Sequence, residues 1–161
     1  MNIHTALLAA RLVWDADIAI ISQGPGNLGT GTTWGFSGTS VGEAVNAVNA
    51  LGGHPIALLR MSSGDKRERH LGLSHHTATA LTRVALSPVV GPVPDLAEQD
   101  ELSQLVSSEL RETVEAQMKA LFSCARLSRS DVSTAGLTRV LEGSPIRMST
   151  MGRGLREDPL A

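Results

Sequence analysis

The sequence has few aromatic residues and no marked excess of charge. Tyrosine is absent, and phenylalanine and tryptophan together make up 2% of the residues. Sequence-tolerant binding of single-stranded nucleic acid uses aromatic side chains on which bases stack, so this scarcity argues against such a partner. A net charge of -2 also gives no reason to expect nucleic acid or a membrane surface as a partner.

Cysteine and long apolar segments are scarce as well. The one cysteine, Cys124, cannot form an internal disulfide, which fits a reducing, cytoplasmic location. No apolar run approaches the roughly 18 residues of a membrane span. The first apolar stretch is interrupted by Arg11 and Asp15, unlike a signal peptide. We therefore expect a cytoplasmic protein without a membrane partner, and 161 residues suit one domain over 1–161.

Short apolar segments alternate with helical patterns along the chain. Helices are predicted over 3–14, 40–51, a segment after a Ser74 cap, a long stretch from Pro94 to about 121, and 132–141. Strands are predicted over 18–21, 56–61, 89–93 and 146–150. This alternation predicts a single-domain α/β fold, a three-layer αβα (Rossmann-like) arrangement with a mainly parallel sheet.

A glycine-rich stretch, residues 22–38, follows the first predicted strand. Backbone near glycine can turn sharply and approach a ligand closely, which suits an anion or a small molecule. The candidate ligand-binding residues in this loop are Gly24, Gly26, Gly29, Thr30, Gly31 and Thr32. Residues 24–29 fit G-x-G-x-x-G literally, but the polar loop continues to Gly38 before a helix begins, which disfavours a dinucleotide fingerprint. A surface loop without a ligand is the alternative.

Two of the four aromatic residues, Trp34 and Phe36, lie in the same polar loop. They could line a pocket, or they could attach the loop to the core. The sequence favours neither role over the other.

A turn rich in charge and imidazole, residues 65–77, follows the second predicted strand. It contains three of the five histidines, and we take these and the first acidic residue of the turn as candidate catalytic residues: His70, His75, His76 and Asp65. Neutral imidazole can ligate a divalent metal or act as a general base. The histidine spacing matches no closed zinc signature, so the metal role of the three histidines stays open and no cofactor is assigned.

The same turn offers candidate ligand-binding side chains in Arg67, Arg69 and Ser74. Guanidinium groups suit phosphate or carboxylate. Solvated arginines and histidines bonded to the backbone are the alternative. Arg153, in a glycine-bearing turn after the last predicted strand, is a further candidate. Loops after parallel strands meet at one edge of a sheet, so we expect the glycine loop, the histidine turn and Arg153 to share a pocket.

These segments resemble a bacterial family of uncharacterised proteins, the domain-of-unknown-function family 3866. The most specific match is Arg-Glu-Arg-His at 67–70 with Ser-His-His-Thr at 74–77. The other matching segments are 23–26, 29–32, 35–38, 51–53, 60–62, Asp65, Gly72, 151–154 and 157–159. The resemblance is good over 2–93 and again from about 149. It implies that this chain corresponds to the carboxyl half of a longer family pattern, and it supplies no reaction.

Three functions therefore remain open. The first is an enzyme or binding protein for a small anionic metabolite or nucleotide, held by the glycine loop and the arginines, with a histidine as acid–base or metal group. The second is a non-catalytic assembly protein, in which these loops shape a subunit interface; we expect a homo-oligomer. The third is a divalent-metal-dependent hydrolase.

Overall fold

The structure combines helices with short strands, among them a parallel pair of which one strand contributes buried residues to the core. The computed structural model describes residues 2–24, 26–96, 101–146 and 148–161. The helices are α1 (Ile3–Leu12), α2 (Ser40–Ala50), α3 (His75–Thr79), α4 (Glu101–Gln104), α5 (Ser108–Leu121) and α6 (Leu137–Glu142). The strands are β1 (Met61–Ser62), β2 (Gly72–Leu73), β3 (Val89–Pro94) and β4 (Leu127–Val132).

Within the described residues the strands form two small sheets. In the first sheet, β3 lies parallel to β4, with Val89 opposite Leu127 and Pro94 opposite Val132. In the second, β1 lies antiparallel to β2, with Met61 opposite Leu73. The described part of the chain thus mixes helices and small sheets, with one parallel strand pair between named strands. A three-layer Rossmann-like arrangement is not confirmed.

The predicted first strand, residues 18–21, is wrong. This segment has no regular structure, and Ile18 and Ile20 are 82% and 91% exposed. A strand needs a neighbour with which to form hydrogen bonds. The edge of β3 that could supply one is taken by residues 55–57, because Ala57 donates to the Val90 carbonyl and Val90 donates to the Pro55 carbonyl. The predicted second strand is correspondingly reduced to this contact and to Met61 in β1.

Two helix predictions also differ from the structure. The long helix after Pro94 is divided into α4 and α5, and Ser107 caps α5 by accepting a hydrogen bond from the Leu110 amide. Residues 97–100 of that prediction lie outside the described residues. The helix predicted over 132–141 begins only at Leu137, because Gly136 has φ of 78°, a left-handed conformation that a regular helix excludes.

The strand β4 was missed, and the strand predicted over 146–150 is absent from the described part of that segment. In β4 only Leu127 is buried, so the strand has no apolar alternation that would reveal it. Near the end of the chain, Thr150 forms an isolated bridge with Arg153. Position 147 lies outside the described residues. The helix after Ser74 and the strand near 89–93 are confirmed.

The core lies where α5 and the helical segment after Ser74 pack on β3. The core-facing residues Val114, Met118 and Leu121 of α5 recur at helical spacing and are almost fully buried. They belong to one cluster of buried apolar side chains with Val89 and Leu81. None of the described helices has the length and apolar character needed to cross a membrane.

Close packing of α2 depends on one glycine. The helix that begins with α3 continues as a π-helical turn, Ala80–Val84, in which the Ala85 amide donates to the Ala80 carbonyl. A Cβ atom at Gly42 of α2 would lie 2.6 Å from the Ala80 oxygen and 2.8 Å from the Ala85 nitrogen. The π-turn therefore needs a residue without a side chain opposite it.

Replacing Gly42 with alanine should lower the free energy of unfolding. Overpacking of this kind costs about 1–3 kcal/mol, which outweighs the gain of about 0.5–1 kcal/mol from removing a helical glycine. Urea denaturation followed by circular dichroism would measure the change. Gly24→Ala is the matched control, because nothing lies within 4 Å of a Cβ at that position. A Gly42→Ala variant as stable as the unsubstituted protein would contradict this explanation.

Candidate functional site

The three histidines of the predicted turn form one cluster. A ligand-capable nitrogen from each of His70, His75 and His76 lies within 4.8 Å of the other two. The ring centroids are 4.3 Å apart for His75 and His76, 4.8 Å for His70 and His76, and 5.0 Å for His70 and His75. One histidine that precedes strand β2 and two that follow it are thus brought together in one cluster.

Ser74 connects the two sides of this cluster. His70 ends the 3₁₀ turn Glu68–His70, and His75 and His76 begin α3. The Ser74 Oγ accepts a hydrogen bond from the His76 amide at 3.3 Å and lies 2.7 Å from His70 Nδ1. One hydroxyl therefore caps the helix that carries two rings and fixes the third. This interaction leaves Nε2 of His70 as the nitrogen available to a ligand.

The backbone that carries the cluster is held from the core side by α5. The Gln117 side-chain amide accepts from the Leu73 amide at 2.7 Å and donates to the Leu71 carbonyl at 3.1 Å. Gly72, between them, has φ of 66°, and a Cβ there would lie 2.2 Å from Gln117 Oε1. The strand β2 is therefore bonded to a helix side chain on one side and to β1 on the other. This arrangement fixes the position of His70 relative to α3.

Burial keeps all three imidazoles neutral. His70 is 7% exposed, and burial, with smaller contributions from the charge of Arg67 and from His75, lowers its pKa to about 4. Burial, followed by the neighbouring His75 and His70, lowers the pKa of His76 to about 4. The pKa of His75 is lowered by burial first and then by the charges of Arg69 and Arg67. Each ring therefore has a lone pair at neutral pH.

One nitrogen in the cluster lacks a partner. Nε2 of His75 is buried and has no hydrogen-bond partner among the described residues. A buried polar atom without a partner costs about 1–3 kcal/mol, so such atoms call for a specific explanation.

The glycine loop reaches the cluster through an aromatic ring. Phe36 stacks on His76 with centroids 4.0 Å apart and an interplanar angle of 8°. Phe36 is buried, whereas Trp34 is 54% exposed. Phe36 therefore attaches the loop to the body of the protein and at the same time forms one wall of the histidine cluster.

The central part of the loop is closed on itself. Gly29 and Phe36 form an antiparallel bridge, and the Thr30 amide donates to the Gly35 carbonyl at 2.7 Å. The Thr30 and Thr32 hydroxyls lie 2.9 Å apart and bond each other. Both hydroxyls, and the Thr30 amide, which were predicted to hold a ligand, are thus engaged within the loop.

The two predicted arginines have different surroundings. Arg67 makes a two-point ion pair with Asp65, through Nε at 2.9 Å and Nη2 at 2.8 Å. This hydrogen bonding holds the pKa of Asp65 well below its usual range. Both carboxylate oxygens of Asp65 therefore bind Arg67. A general base or a metal ligand would instead need an oxygen that contacts the histidines. Arg69 is exposed, and its Nη1 donates to the Gly31 carbonyl at 2.9 Å.

The remaining candidates lie away from the cluster. Gly24 and Gly26 are exposed, and a Cβ at either position would meet nothing within 4 Å. Arg153 forms an ion pair with the fully buried Asp158 carboxylate at 3.0 Å. The parallel-sheet edge that was expected to gather all three loops does not form. Phe36 and Arg69 instead connect the glycine loop to the histidine turn.

The Arg153–Asp158 pair belongs to a second polar network that sequence reasoning missed. Asp158 accepts hydrogen bonds from the Ser62 hydroxyl and the Ser63 amide, both at 2.6 Å. The Ser62 Oγ also accepts from the Asp65 amide at 3.0 Å. The end of the chain is thereby joined to the start of the histidine turn. The resemblance to the family at residues 157–159 marked this segment as noteworthy. The neighbouring sequence, however, did not indicate which residues Asp158 would contact.

The stability of the metal-free protein should fall as pH decreases from about 6.5 to about 4. The folded-state pKa values of the cluster lie below the value of 6.5 for free histidine, so the unfolded chain binds more protons in this window and stability is lost. The lowered pKa of Asp65 acts in the same direction but at lower pH, because a lowered carboxylate pKa reduces stability only as pH falls below about 3.8.

Urea midpoints measured with a chelator at several pH values would test this expectation. His70→Gln should flatten the dependence between pH 6.5 and 4, whereas His4→Gln, on the exposed face of α1, should leave the slope unchanged. Equal slopes for His70→Gln and the unsubstituted protein would contradict the assignment.

Comparison with known protein families gives a match over the whole chain. A family model described as a protein of unknown function, DUF3866, matches residues 1–161, including the middle segment in which the resemblance was weaker. No curated protein matches the chain, and no solved structure matches it. A family model that spans all 161 residues shows membership, so the chain belongs to the protein family of unknown function DUF3866.

Proposed function

We propose that this protein binds one divalent transition-metal ion, of the zinc class, through His70, His75 and His76, and uses it to activate water. The observation that carries this proposal is the triangle of ligand-capable nitrogens, one from each histidine, that lie within 4.8 Å of one another; in addition, Nε2 of His75 is buried and has no hydrogen-bond partner among the described residues. A metal ion at the centre of that triangle would give this nitrogen a partner. A histidine with a purely structural role would have both ring nitrogens hydrogen-bonded, for example to the backbone, and none left without a partner.

The chemistry of the three ligands favours a transition metal over calcium or magnesium. Imidazole nitrogen suits zinc, copper, nickel and iron, whereas calcium and magnesium require oxygen. Histidine must be neutral to bind a metal, and burial already keeps the three rings neutral. The nearest carboxylate of the turn, Asp65, is engaged by Arg67 at both oxygens. These facts support a ligand set made of imidazole alone.

The number of ligands supports a catalytic rather than a structural role. Structural zinc sites have four protein ligands, and catalytic sites have three with an open position for water. Tetrahedral coordination at about 2.0–2.1 Å places ligand nitrogens about 3.3 Å apart, so the present nitrogens, within 4.8 Å of one another, would move closer together on binding an ion. Zinc lowers the pKa of bound water to about 7. The reaction class is therefore metal-assisted hydrolysis or hydration.

The surroundings of the cluster are suited to holding such a site in place. Ser74 Oγ fixes the ring of His70 through Nδ1, which is the outer-sphere contact that metal-bound histidines ordinarily have. Phe36 covers one face of His76 and limits access of water from that side. Arg69 is exposed, and its charge contributes to the lowered pKa of His75 and of His76.

A second candidate function is metal-free acid–base chemistry on an anionic metabolite. It is favoured by a neutral imidazole, His75, whose pKa is lowered by burial and then by the charge of Arg69. In that case the unpartnered Nε2 of His75 would act as the base. The two candidates differ in one property, the requirement for a metal.

We also propose a cytoplasmic location and a homo-oligomeric state. We further propose that the chain corresponds to the carboxyl half of its family pattern. Large apolar side chains exposed in one segment support self-association. Among them, Trp14 is 77% exposed and Ile20 is 91% exposed. Exposed apolar patches of this kind mark interaction surfaces.

Titration of tag-free, chelator-treated protein with Co²⁺ or Zn²⁺ should show one tight site. His75→Gln and His76→Gln should each weaken the affinity at least tenfold, because loss of one of three ligands leaves an incomplete site. Ser74→Ala should weaken it by a smaller factor than either histidine substitution, because it removes an outer-sphere contact of His70 and not a ligand. Visible absorption of the Co²⁺ form and competition with a chelator would measure these affinities.

His54→Gln is the matched control, since His54 lies outside the cluster, and it should bind metal like the unsubstituted protein. Circular dichroism would establish that each variant is folded. Folded histidine variants that retain the full affinity, or an unsubstituted protein without a tight site, would overturn the metal proposal. The second result would leave the acid–base candidate.

A further inference from the structure

We infer that the proposed metal site takes an oxyanion group as its exogenous ligand, a phosphate in preference to a carboxylate, held between the metal position and the Arg69 guanidinium. This inference rests on the proposed function. It adds a substrate class, small phosphorylated molecules, which the metal site alone does not specify.

Of the two arginines of the turn, Arg69 is the one whose guanidinium is available to a ligand. Arg67 is paired with Asp65 through two nitrogens. Arg69, two residues later, forms no ion pair among the described residues, and the hydrogen bond found for its side chain is the one from Nη1 to the Gly31 carbonyl. A neutral carbonyl orients the guanidinium without cancelling its charge. The other donors of this group are free to bind an oxyanion.

The position of Arg69 is fixed by the glycine loop. Gly31 has φ of 81°, which favours glycine, and a Cβ there would lie 3.2 Å from Arg69 Nη1. The loop is in turn attached to the cluster, because Phe36 stacks on His76. Arg69 is also adjacent in sequence to His70. The guanidinium is therefore held where the loop and the cluster meet, and its charge reaches His75 and His76.

The charge of the loaded site favours a dianion. Three neutral imidazoles contribute no charge, and Asp65 offsets Arg67. A divalent ion together with Arg69 leaves an excess of about three positive charges. The remaining charged side chains of the turn, Lys66 and Glu68, are both exposed and carry opposite charges, so together they leave this excess unchanged. A phosphate dianion neutralises more of this excess than a carboxylate does, and guanidinium binds its oxygens at two points.

Anion binding to the Co²⁺-loaded protein tests this inference. Methylphosphonate serves as the phosphate probe and acetate as the carboxylate probe, each titrated at about pH 8 while the visible spectrum of Co²⁺ is recorded. We expect methylphosphonate to bind at least tenfold more tightly than acetate. Arg69→Gln should weaken methylphosphonate binding at least tenfold and leave the Co²⁺ affinity undiminished, because Arg69 contacts the anion and not the metal.

Arg11→Gln, on α1, is the matched arginine control and should bind methylphosphonate like the unsubstituted protein. The two proposals fail in different ways. Absence of Co²⁺ binding would overturn the proposed function itself. Normal Co²⁺ binding with no spectral response to methylphosphonate, with tighter binding of acetate, or with an unchanged response in Arg69→Gln would overturn the inference about the substrate alone.

Discussion

Three imidazole rings share one partly buried space, and none of them can carry a proton there without a cost in stability. This constraint determines the rest of the site. Neutral rings must be positioned by hydrogen bonds at their other atoms, and Ser74 supplies these to His70 and to the start of α3. The geometry that results leaves a buried nitrogen of His75 without a partner. The cluster thus contains a buried nitrogen for which the described residues supply no hydrogen-bond partner.

Successive layers of contacts support this arrangement. Gln117 of α5 bonds the backbone on both sides of Gly72, and the π-helical turn after α3 packs on α2 at Gly42. On the other side, Ser62 Oγ joins the buried Asp158 to the amide of Asp65. The end of the chain is therefore coupled to the base of the histidine turn, although it contributes no residue to the cluster. A site that depends on positions within a fraction of an ångström needs such support.

Local chemistry was readable from the sequence, whereas tertiary pairing was not. The Ser74 cap and the histidine-rich turn have short-range signatures, and the structure has α3 at that place. The apolar run at 18–21 looks like a buried strand, yet it is exposed because residues 55–57 occupy the edge of β3. The polar strand β4 has no periodic signal, since its one buried residue is Leu127. Which edge a strand joins depends on distant residues that no local pattern encodes.

In the candidate site, too, the sequence indicated the residue types, and only the structure showed which residues contact one another. Arg67 and Arg69 are alike in sequence, and only the structure separates an arginine bound to Asp65 from one directed at the Gly31 carbonyl. Arg153 was grouped with them on the basis of a sheet edge that does not form, and it pairs with Asp158. Phe36 was recognised as unusual in a polar loop, but its stacking on His76 required the loop to fold back across the chain.

The most direct test of the central claim is the structure of the metal environment itself. X-ray absorption spectroscopy at the zinc edge, on protein loaded with one equivalent of Zn²⁺, measures the number and type of ligand atoms. We predict three imidazole nitrogens at about 2.0–2.1 Å and one further light-atom ligand from solvent. A spectrum without histidine scattering, or with zinc bound by sulfur or by oxygen alone, would contradict it.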